Sequence, residues 1–221
     1  MSKKPRSKSF YVRVVKRIFD IVIGICALPF LALIVLFVGL AIKIDDGGPV
    51  FYKAKRMGKN SKIYNMYKFR SMIVNAPNWT NKDGSTYNAA DDERVTRVGR
   101  FIRKTSIDEL PQFFNLLIGN MTLIGPRASG AGAVGTYLPD EIAKMDVKPG
   151  ITGYTQAYHR NGLSVREKRL KDAWYAENVT FGLDFKIFFK TFATVLKREK
   201  VYTNEVGTAK EDLYVDTASK K

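Results

Sequence analysis

Two adjacent carboxylates, Asp108 and Glu109, stand in a run of basic and polar residues between Arg97 and Gln112. Ser106 followed by Glu109 has the S-x-x-E spacing of a capping box, which predicts that a helix begins here and that its positive end favours ionised carboxylates. An ionised carboxylate can attack phosphorus to form an acyl phosphate. A second carboxylate can hold a hard divalent cation that neutralises phosphate charge. The alternative is an ordinary helix start whose acids balance nearby arginines.

The residue types available restrict the chemistry that the chain can perform. Its 221 residues include one cysteine, Cys26, and one histidine, His159, which excludes a disulfide framework, a cysteine-based zinc site and a histidine-rich metal site. Lys and Arg number 37 against 21 Asp and Glu, for a net charge of +16. This charge favours an anionic partner: nucleic acid, a lipid surface or a phosphorylated substrate. The sequence has no RNP, zinc-finger or helix-turn-helix signature, so we expect no nucleic-acid partner.

An apolar segment near the N-terminus predicts a membrane anchor. Residues 21–42 carry no charge, and as a helix they would reach about 33 Å, enough for a hydrocarbon core of about 30 Å. Residues 1–17 carry seven basic side chains and no acid, and residues 43–62 carry six more basic side chains, so both flanks favour the cytoplasmic side. Because Pro29 interrupts helical hydrogen bonding, the segment is either a re-entrant hairpin bent there or a single kinked span.

The rest of the sequence predicts the elements that must position the two carboxylates. Apolar and polar residues alternate on either side of residues 58–61, which predicts a β-hairpin, and residues 75–92 have the polar composition of a loop. Helical patterns cover residues 94–103, 108–118, 165–178 and 181–200. The last of these carries a phenylalanine stripe with lysines on another face. That pattern fits either an interfacial helix or a helix packed on the core with solvated lysines.

Several motifs with fixed spacing extend over most of the chain. Residues 92–112 read D-x-R-x-T-x-x-G-x-x-x-R-x-x-S-x-D-E-L-P-Q, and they are followed by Asn115, by Gly-Asn-Met at 119–121 and by Ile-Gly-Pro-Arg at 124–127. Three further motifs are Lys-Arg-Ile-Phe-Asp at 16–20, Tyr-Lys-Phe-Arg-Ser-Met at 67–72 and Lys-Pro-Gly-Ile-Thr-Gly at 148–153. In these motifs the chain resembles the bacterial sugar transferases, the monotopic phosphoglycosyl transferases that start polysaccharide and glycoprotein assembly.

The resemblance implies a reaction and its participants. A nucleoside-diphosphate sugar, usually UDP-linked, and a polyprenyl phosphate such as undecaprenyl phosphate would give a polyprenyl-diphosphate sugar and UMP. It implies a covalent phosphosugar on Asp108, Mg²⁺ held near Glu109, and a re-entrant membrane helix bent at Pro29. The basic positions that would hold substrate phosphates are Lys68, Arg103 and Arg127.

The resemblance and the residues together define the expected architecture. We expect a mainly α fold with a small β-hairpin, in the α+β class, with interfacial amphipathic helices. Its segments would be a basic N-terminus at 1–17, the re-entrant helix at 18–46, the catalytic domain at 47–205 and a disordered tail at 206–221. The protein would lie in the bacterial inner membrane with its catalytic domain facing the cytoplasm, and a homodimer is left open.

Three residues depart from the family pattern. Leu28 precedes Pro29, where some members have a serine that can bond a freed carbonyl group. Ala128 replaces the second proline of Gly-Pro-Arg-Pro, and Tyr154 replaces the tryptophan of Gly-Trp-x-Gln, which bears on contacts to sugar or uracil. None of these changes alters the Asp-Glu pair.

Two other functions remain open on the residues alone. A non-catalytic, membrane-anchored basic module that binds anionic lipid would explain the net charge of +16 but not a carboxylate pair among arginines. An inverting glycosyltransferase would use the same donor but would release UDP in place of UMP. Contacts that select the donor sugar depend on loop geometry, so no motif assigns the sugar.

Overall fold

A computed structural model describes residues 8–81, 87–89, 91–133, 135–159, 163–196 and 214–216. The fold is mostly helical with three small sheets among these residues, which agrees with the expected α+β class. The helices are α1 (Lys16–Asp46), α2 (Arg97–Lys104), α3 (Gln112–Ile118), α4 (Tyr154–Tyr158), α5 (Val165–Asn178) and α6 (Phe181–Leu196). The strands are β1 (Phe51–Met57), β2 (Ile63–Phe69), β3 (Asn78–Thr80), β4 (Thr122–Ile124), β5 (Ser129–Gly130), β6 (Gly150–Thr152) and β7 (Tyr214–Asp216).

Helix α1 follows a single π-helical turn, Tyr11–Val15, and contains Pro29 in its interior. It ends at Gly47, whose left-handed φ of 71° lets its N–H cap the carbonyl of Lys43. The middle of the helix exposes large apolar side chains, with Phe30 70% and Phe37 67% exposed. Among the described residues, the helical stretch Tyr11–Asp46 is long and apolar enough to cross a membrane.

Both ends of α1 are attached to the rest of the protein. At the N-terminal end, Arg17 donates to the carbonyls of Leu116 and Leu117 at 2.6 and 2.8 Å. At the C-terminal end, Asp46 forms an ion pair with Arg70. The apolar middle of α1 is therefore held between two polar attachments to the same globular part.

The predicted hairpin is confirmed. Strands β1 and β2 pair antiparallel from Phe51 opposite Phe69 to Met57 opposite Ile63, and β5 pairs with the other edge of β1. The connection uses Asn60 and Ser61 at positive φ, which reverses the chain within a few residues. Because alternate residues of a strand share a face, this register decides which side chains of the two strands can act together.

Helix boundaries differ from the prediction where local signals compete. Residues 108–118 do not form one helix: a single 3₁₀ turn, Ile107–Glu109, precedes α3. Ser106 makes no capping bond and has a left-handed φ of 60°, so the capping box expected at its side chain is wrong. Within the described residues a capping box is found instead at Ser164 and Glu167, where α5 begins.

The other predicted helices are found close to the expected bounds. Helix α2 begins three residues later than predicted, because the Thr96 side chain caps it by accepting from the Gly99 N–H at 2.9 Å. Helix α5 has the predicted bounds, and α6 covers the described part of the predicted 181–200 helix. The segment predicted as a loop at 75–92 contains β3, which pairs with β7 from the predicted tail. The other residues of that tail lie outside the described residues.

Two of the three hydrophobic clusters in the described residues join the main helices and strands of the globular part. One surrounds Tyr175 and Ile187, which are buried where α4, α5 and α6 meet. The other joins Ile42 of α1, Phe69 of β2 and Ile102 of α2. The second cluster packs α1, the hairpin and α2 together, and Ile107, the neighbour of Asp108, packs against it.

Candidate active site

The two carboxylates lie on the one-turn 3₁₀ helix between α2 and α3. Ser106, at φ 60°, comes just before them, and successive side chains of a 3₁₀ turn point about 120° apart. Asp108 is 9% exposed, whereas the Glu109 side chain is 29% exposed. The pair therefore offers one buried and one partly accessible carboxylate within a single turn.

Their surroundings push the two pKa values apart. Burial raises the pKa of the Asp108 carboxyl to about 6, with the Glu109 charge adding to the rise and Lys68 and Arg103 opposing it. Burial also acts on Glu109, but the charges of Lys68, Arg127 and Arg56 outweigh it and lower its pKa to about 2. The expectation that a helix terminus favours the ionised form is wrong for Asp108, because a single 3₁₀ turn provides little dipole and burial dominates. Divergent pKa values in neighbouring carboxyls are typical of functional sites.

Lys68 reaches this pair from strand β2. Its ammonium group contacts Oε1 of Glu109 at 2.6 Å. The strand is held there by Asn115 of α3, which is 0% exposed. The Asn115 side chain accepts from the Tyr67 N–H at 2.9 Å and donates to the Asn65 carbonyl at 2.7 Å. Asn115 thus clamps the segment that follows Glu109 to the strand that carries Lys68.

Arg103 reaches the pair from the last turn of α2. Its Nε donates to Oγ of Ser71 at 2.9 Å, and its charge lowers the pKa of Asp108. The helix can approach so closely because Gly99 faces the chain after β2: a Cβ there would lie 2.0 Å from the Ser71 carbonyl oxygen. Any larger residue at position 99 would push α2, and with it Arg103, away from the carboxylates.

Arg127 comes from a loop that is clamped on both sides. The Gly125 N–H donates to the Thr152 carbonyl at 2.8 Å, and a Cβ at Gly153 would lie 1.9 Å from the Gly125 carbonyl oxygen, so these backbones pack in direct contact. On the other side, the Arg127 N–H donates to the buried carboxylate of Asp172 at 3.2 Å. Asp172 was not identified from the sequence, and no local motif marks it.

Arg56 is a further basic residue that sequence reasoning missed. It lies on β1 on the same hairpin face as Lys68, because Tyr64 and Tyr52 are their respective cross-strand partners. Burial and the charge of Arg127 lower its pKa. Its buried Nε has no hydrogen-bond partner among the described residues. Only the register of the hairpin, which a single sequence does not fix, reveals this position.

The oxygen atoms of Asp108 and Glu109 are the candidate donors for Mg²⁺ at this site. The described residues contain no cluster of three or more His, Cys, Asp or Glu side chains. Mg²⁺ commonly binds through one or two carboxylates together with waters and substrate phosphates, and Asp108 with Glu109 meets that requirement. Lys68 occupies Oε1 of Glu109, and no hydrogen bond involves Oε2 within the described residues. The donor set fits Mg²⁺ if a diphosphate supplies the remaining oxygens.

The structure brings together five of the six residues predicted to be functional. These five converge on one region: Asp108, Glu109, Lys68, Arg103 and Arg127. The positive charge of each basic residue affects the pKa of Asp108, of Glu109 or of both. Pro29 is separate and lies in the interior of α1.

Comparisons with known proteins agree with these motifs. Residues 11–198 match the model of the family described as bacterial sugar transferase. The chain is 40% identical to an uncharacterized sugar transferase, EpsL, of Bacillus subtilis, over 87% of this chain and 93% of that protein. It is 37% identical to the exopolysaccharide production protein PSS of Rhizobium leguminosarum, over 85% of this chain and 98% of that protein.

A longer relative aligns over only part of its length. The undecaprenyl-phosphate galactose phosphotransferase of Salmonella typhimurium is 37% identical over 86% of this chain, which spans 42% of that protein. The family model and the shorter relatives nevertheless cover most of the chain, including the carboxylate pair and its four basic neighbours. The chain therefore belongs to the bacterial sugar transferase family.

Proposed function

We propose that this protein transfers a sugar 1-phosphate from a UDP-sugar to a polyprenyl phosphate such as undecaprenyl phosphate, and releases UMP. The observation that carries the proposal is the buried carboxylate of Asp108 beside Glu109, with four basic side chains converging on the pair. Relatives are named as undecaprenyl-phosphate phosphotransferases of galactose, N-acetylgalactosamine and glucose. The reaction would supply the first lipid-linked sugar of a polysaccharide or glycoconjugate.

The proposed chemistry has two steps at one phosphorus atom. In the first, a carboxylate oxygen of Asp108 attacks the sugar-bearing phosphorus, the bond from that phosphorus to the bridging oxygen breaks, and UMP leaves with the electron pair. In the second, a phosphate oxygen of the lipid attacks the same phosphorus, and the Asp108 carboxylate leaves. With a pKa of about 6, Asp108 is mostly ionised near neutral pH and can act as the nucleophile.

The basic residues would hold and neutralise the diphosphate. Lys68, Arg103, Arg127 and Arg56 approach from four different elements, so their charges can surround the phosphate oxygens from several directions. Preorganised donors of this kind stabilise charge that develops in the transition state. Mg²⁺, held by Glu109, would neutralise further negative charge on the diphosphate and the departing UMP.

Membrane placement forms part of the same proposal. We propose that α1 is a re-entrant anchor in the inner membrane with both of its ends on the cytoplasmic side. Arg17 near one end and Asp46 at the other contact the same globular part, and this supports a shared side. In a Cys26→Ala background, single cysteines at Ser9 and Ser61 should react equally with an impermeant reagent in sealed vesicles. Opposite accessibility would reject re-entry.

The covalent step is tested by intact-protein mass spectrometry. The wild-type protein, incubated with Mg²⁺ and a UDP-sugar but no lipid acceptor, should gain the mass of one phosphosugar on the peptide that contains Asp108. Asp108→Asn should gain nothing. Asp140→Asn, a matched change in an exposed ion pair, should gain the same mass as wild type. Turnover by Asp108→Asn would sink the proposed mechanism.

Product analysis separates the competing functions. With polyprenyl phosphate present, the proposal requires one UMP for each lipid product. Release of UDP would instead identify a glycosyltransferase, and release of neither nucleotide with any donor would favour a non-catalytic lipid-binding module. UDP-galactose, UDP-glucose and UDP-N-acetylgalactosamine are the first donors to test, because relatives are named for the corresponding sugars.

A further inference from the structure

A polar cavity separate from the candidate active site lies at the N-terminal end of α1. It has a volume of about 250 Å³ and is lined on one side by the π-helical turn and the first turns of α1. Its remaining walls come from the hairpin turn, from β4, from the segment before β6, and from Tyr175 of α5 with the nearby Val179. None of the residues of the candidate active site lines this cavity.

The cavity carries an excess of positive charge. Its lining includes five basic residues and one acid, namely Arg13, Lys16, Arg17, Lys59, Lys148 and Asp20. Lys16 is neutralised by an ion pair with the buried Asp184, and Asp20 accepts hydrogen bonds from Thr122 and Leu123. Lys59 and Lys148 form no ion pair with any described residue. The basic groups therefore outnumber the acids that could balance them.

The lowered pKa of Lys148 reflects burial and repulsion between the positive charges that line the cavity. Burial lowers the pKa of the Lys148 ammonium group, the neighbouring charges of Arg17 and Lys59 lower it further, and the charge of Asp20 opposes them only in part. An anion placed between these side chains would relieve that repulsion. The arrangement is thus complementary to a phosphate group rather than to a neutral ligand.

Exposed aromatic side chains form an apolar surface near the cavity. Phe19, two residues after the cavity residue Arg17, and Phe181 of α6 are each about half exposed, and their ring centroids are 6.3 Å apart. Phe185 continues this exposed stripe along α6, with its ring 6.1 Å from that of Phe181. A ligand that pairs one phosphate with hydrocarbon chains fits both surfaces at once.

We propose that this cavity binds the phosphate of an anionic glycerophospholipid, whose acyl chains lie along Phe19, Phe181 and Phe185. The inference rests on the membrane placement proposed above but not on the reaction, because none of its residues takes part in catalysis. A phosphate seated between Lys59 and Lys148 would fix the depth and rotation of the protein at the lipid surface. The protein would thus have a structural lipid site separate from the site of its acceptor lipid.

The test measures ligand-dependent thermal stabilisation of the full chain in a neutral detergent. The probes are dihexanoyl phosphatidylglycerol, dihexanoyl phosphatidylcholine, farnesyl phosphate and inorganic phosphate. The three amphiphilic probes are used below their own critical micelle concentrations. Phosphatidylglycerol should raise the unfolding temperature of the wild type at lower concentration than the other three probes. Lys59→Gln/Lys148→Gln should need a concentration about tenfold higher or more for the same shift, because two charge-assisted contacts are lost.

Control variants show whether the rise in unfolding temperature comes from binding in the cavity. Lys55→Gln/Lys186→Gln removes two charges from exposed positions outside the cavity and should respond as wild type. Lys59→Gln alone provides a milder change if the double variant does not fold, and it should show an intermediate loss. Equal responses of wild type and the cavity variants would overturn the proposal.

The identity of the preferred probe decides the ligand class. Preference for farnesyl phosphate, lost in the cavity variants, would assign the cavity to the isoprenoid acceptor and overturn the structural-lipid proposal. An equal response to inorganic phosphate would show that the chains contribute nothing, which also overturns it. UMP release is measured separately, so failure of lipid binding here leaves the proposed reaction standing.

Discussion

Asn115 offers the most direct test of how the candidate site is held together. Asn115→Leu keeps a similar side-chain size but leaves the Tyr67 N–H and the Asn65 carbonyl without their bonds of 2.9 and 2.7 Å. An unsatisfied buried polar group costs about 1–3 kcal/mol, so the two together should lower the free energy of unfolding by about 2–6 kcal/mol. For a chain of this size that corresponds to a fall in melting temperature of roughly 4–24 °C.

The assay is thermal unfolding in a neutral detergent, with covalent labelling by a UDP-sugar as a second readout. Labelling should fall in the folded fraction of the variant, because Tyr67 precedes Lys68 and a displaced β2 moves the ammonium group away from Glu109. Asn178→Ala is the matched control: it removes one exposed bond to the Trp174 carbonyl and should change stability by no more than about 0.5 kcal/mol. A loss below about 1 kcal/mol for Asn115→Leu, with normal labelling, would refute the clamp.

Three further predictions concern buried charge and catalysis. Asp92→Asn should destabilise the protein by about 3–5 kcal/mol, because it leaves Arg94 buried without its carboxylate partner; thermal unfolding measures this. Burial raises the pKa of Asp92, but hydrogen bonds from Arg94 outweigh it and hold this pKa below its usual value. The pair therefore stabilises the wild type fully above about pH 4, the pKa of an aspartate in the unfolded chain. This stabilisation is lost as the pH falls through the lower pKa that Asp92 has in the folded protein. Arg103→Ala should lose about 2–4 kcal/mol of transition-state stabilisation in UMP release, and Arg103→Lys should restore only part of it; wild-type turnover in Arg103→Ala would remove this residue from the site. Glu109→Gln should reduce the rate and weaken the Mg²⁺ dependence while Asp108 remains the labelled residue, and label at another residue would contradict the roles given to the pair.

The elements that local sequence patterns predict well are those with strong periodicity or strong turn signals. Strand alternation around residues 58–61 predicted the hairpin, and the capping residues Ser164 and Glu167 accompany a helix found with its predicted bounds. The same S-x-x-E spacing at Ser106 and Glu109 gave a wrong helix start. There Glu109 is drawn to Lys68, and Pro111 comes directly before α3, so tertiary contacts override the local capping signal.

The parts of the site that sequence did not reveal depend on contacts between distant segments. Arg56 joins the basic cluster only because the hairpin register puts it on the face of Lys68. Asp172 positions the backbone of Arg127 across 45 residues of sequence. A single sequence carries no information on such pairings unless a recognised motif already includes the residue.

Two of the three departures from the family pattern, Ala128 and Tyr154, pack against neighbouring side chains. Ala128 packs against the cluster formed by Ala54, Met66 and Met121, so the lost proline is replaced by a small apolar contact. The Tyr154 ring lies 5.1 Å from that of Trp174 between centroids. Tyr154 therefore still supplies an aromatic ring at this position, but it lacks the indole N–H donor of the tryptophan in the family pattern.

The Asn115 clamp also sets the order in which the site can assemble during synthesis. Its two bonds join residues 48 and 50 positions apart, so the chain must close a loop of about that length before they form, at an entropic cost. Helix α1 and the hairpin leave the ribosome first, and the segment that carries Asp108 and Asn115 can dock on them only afterwards. A nascent chain halted before Asn115 would therefore contain α1, the hairpin and Asp108 but would lack the two bonds that hold β2 beside them.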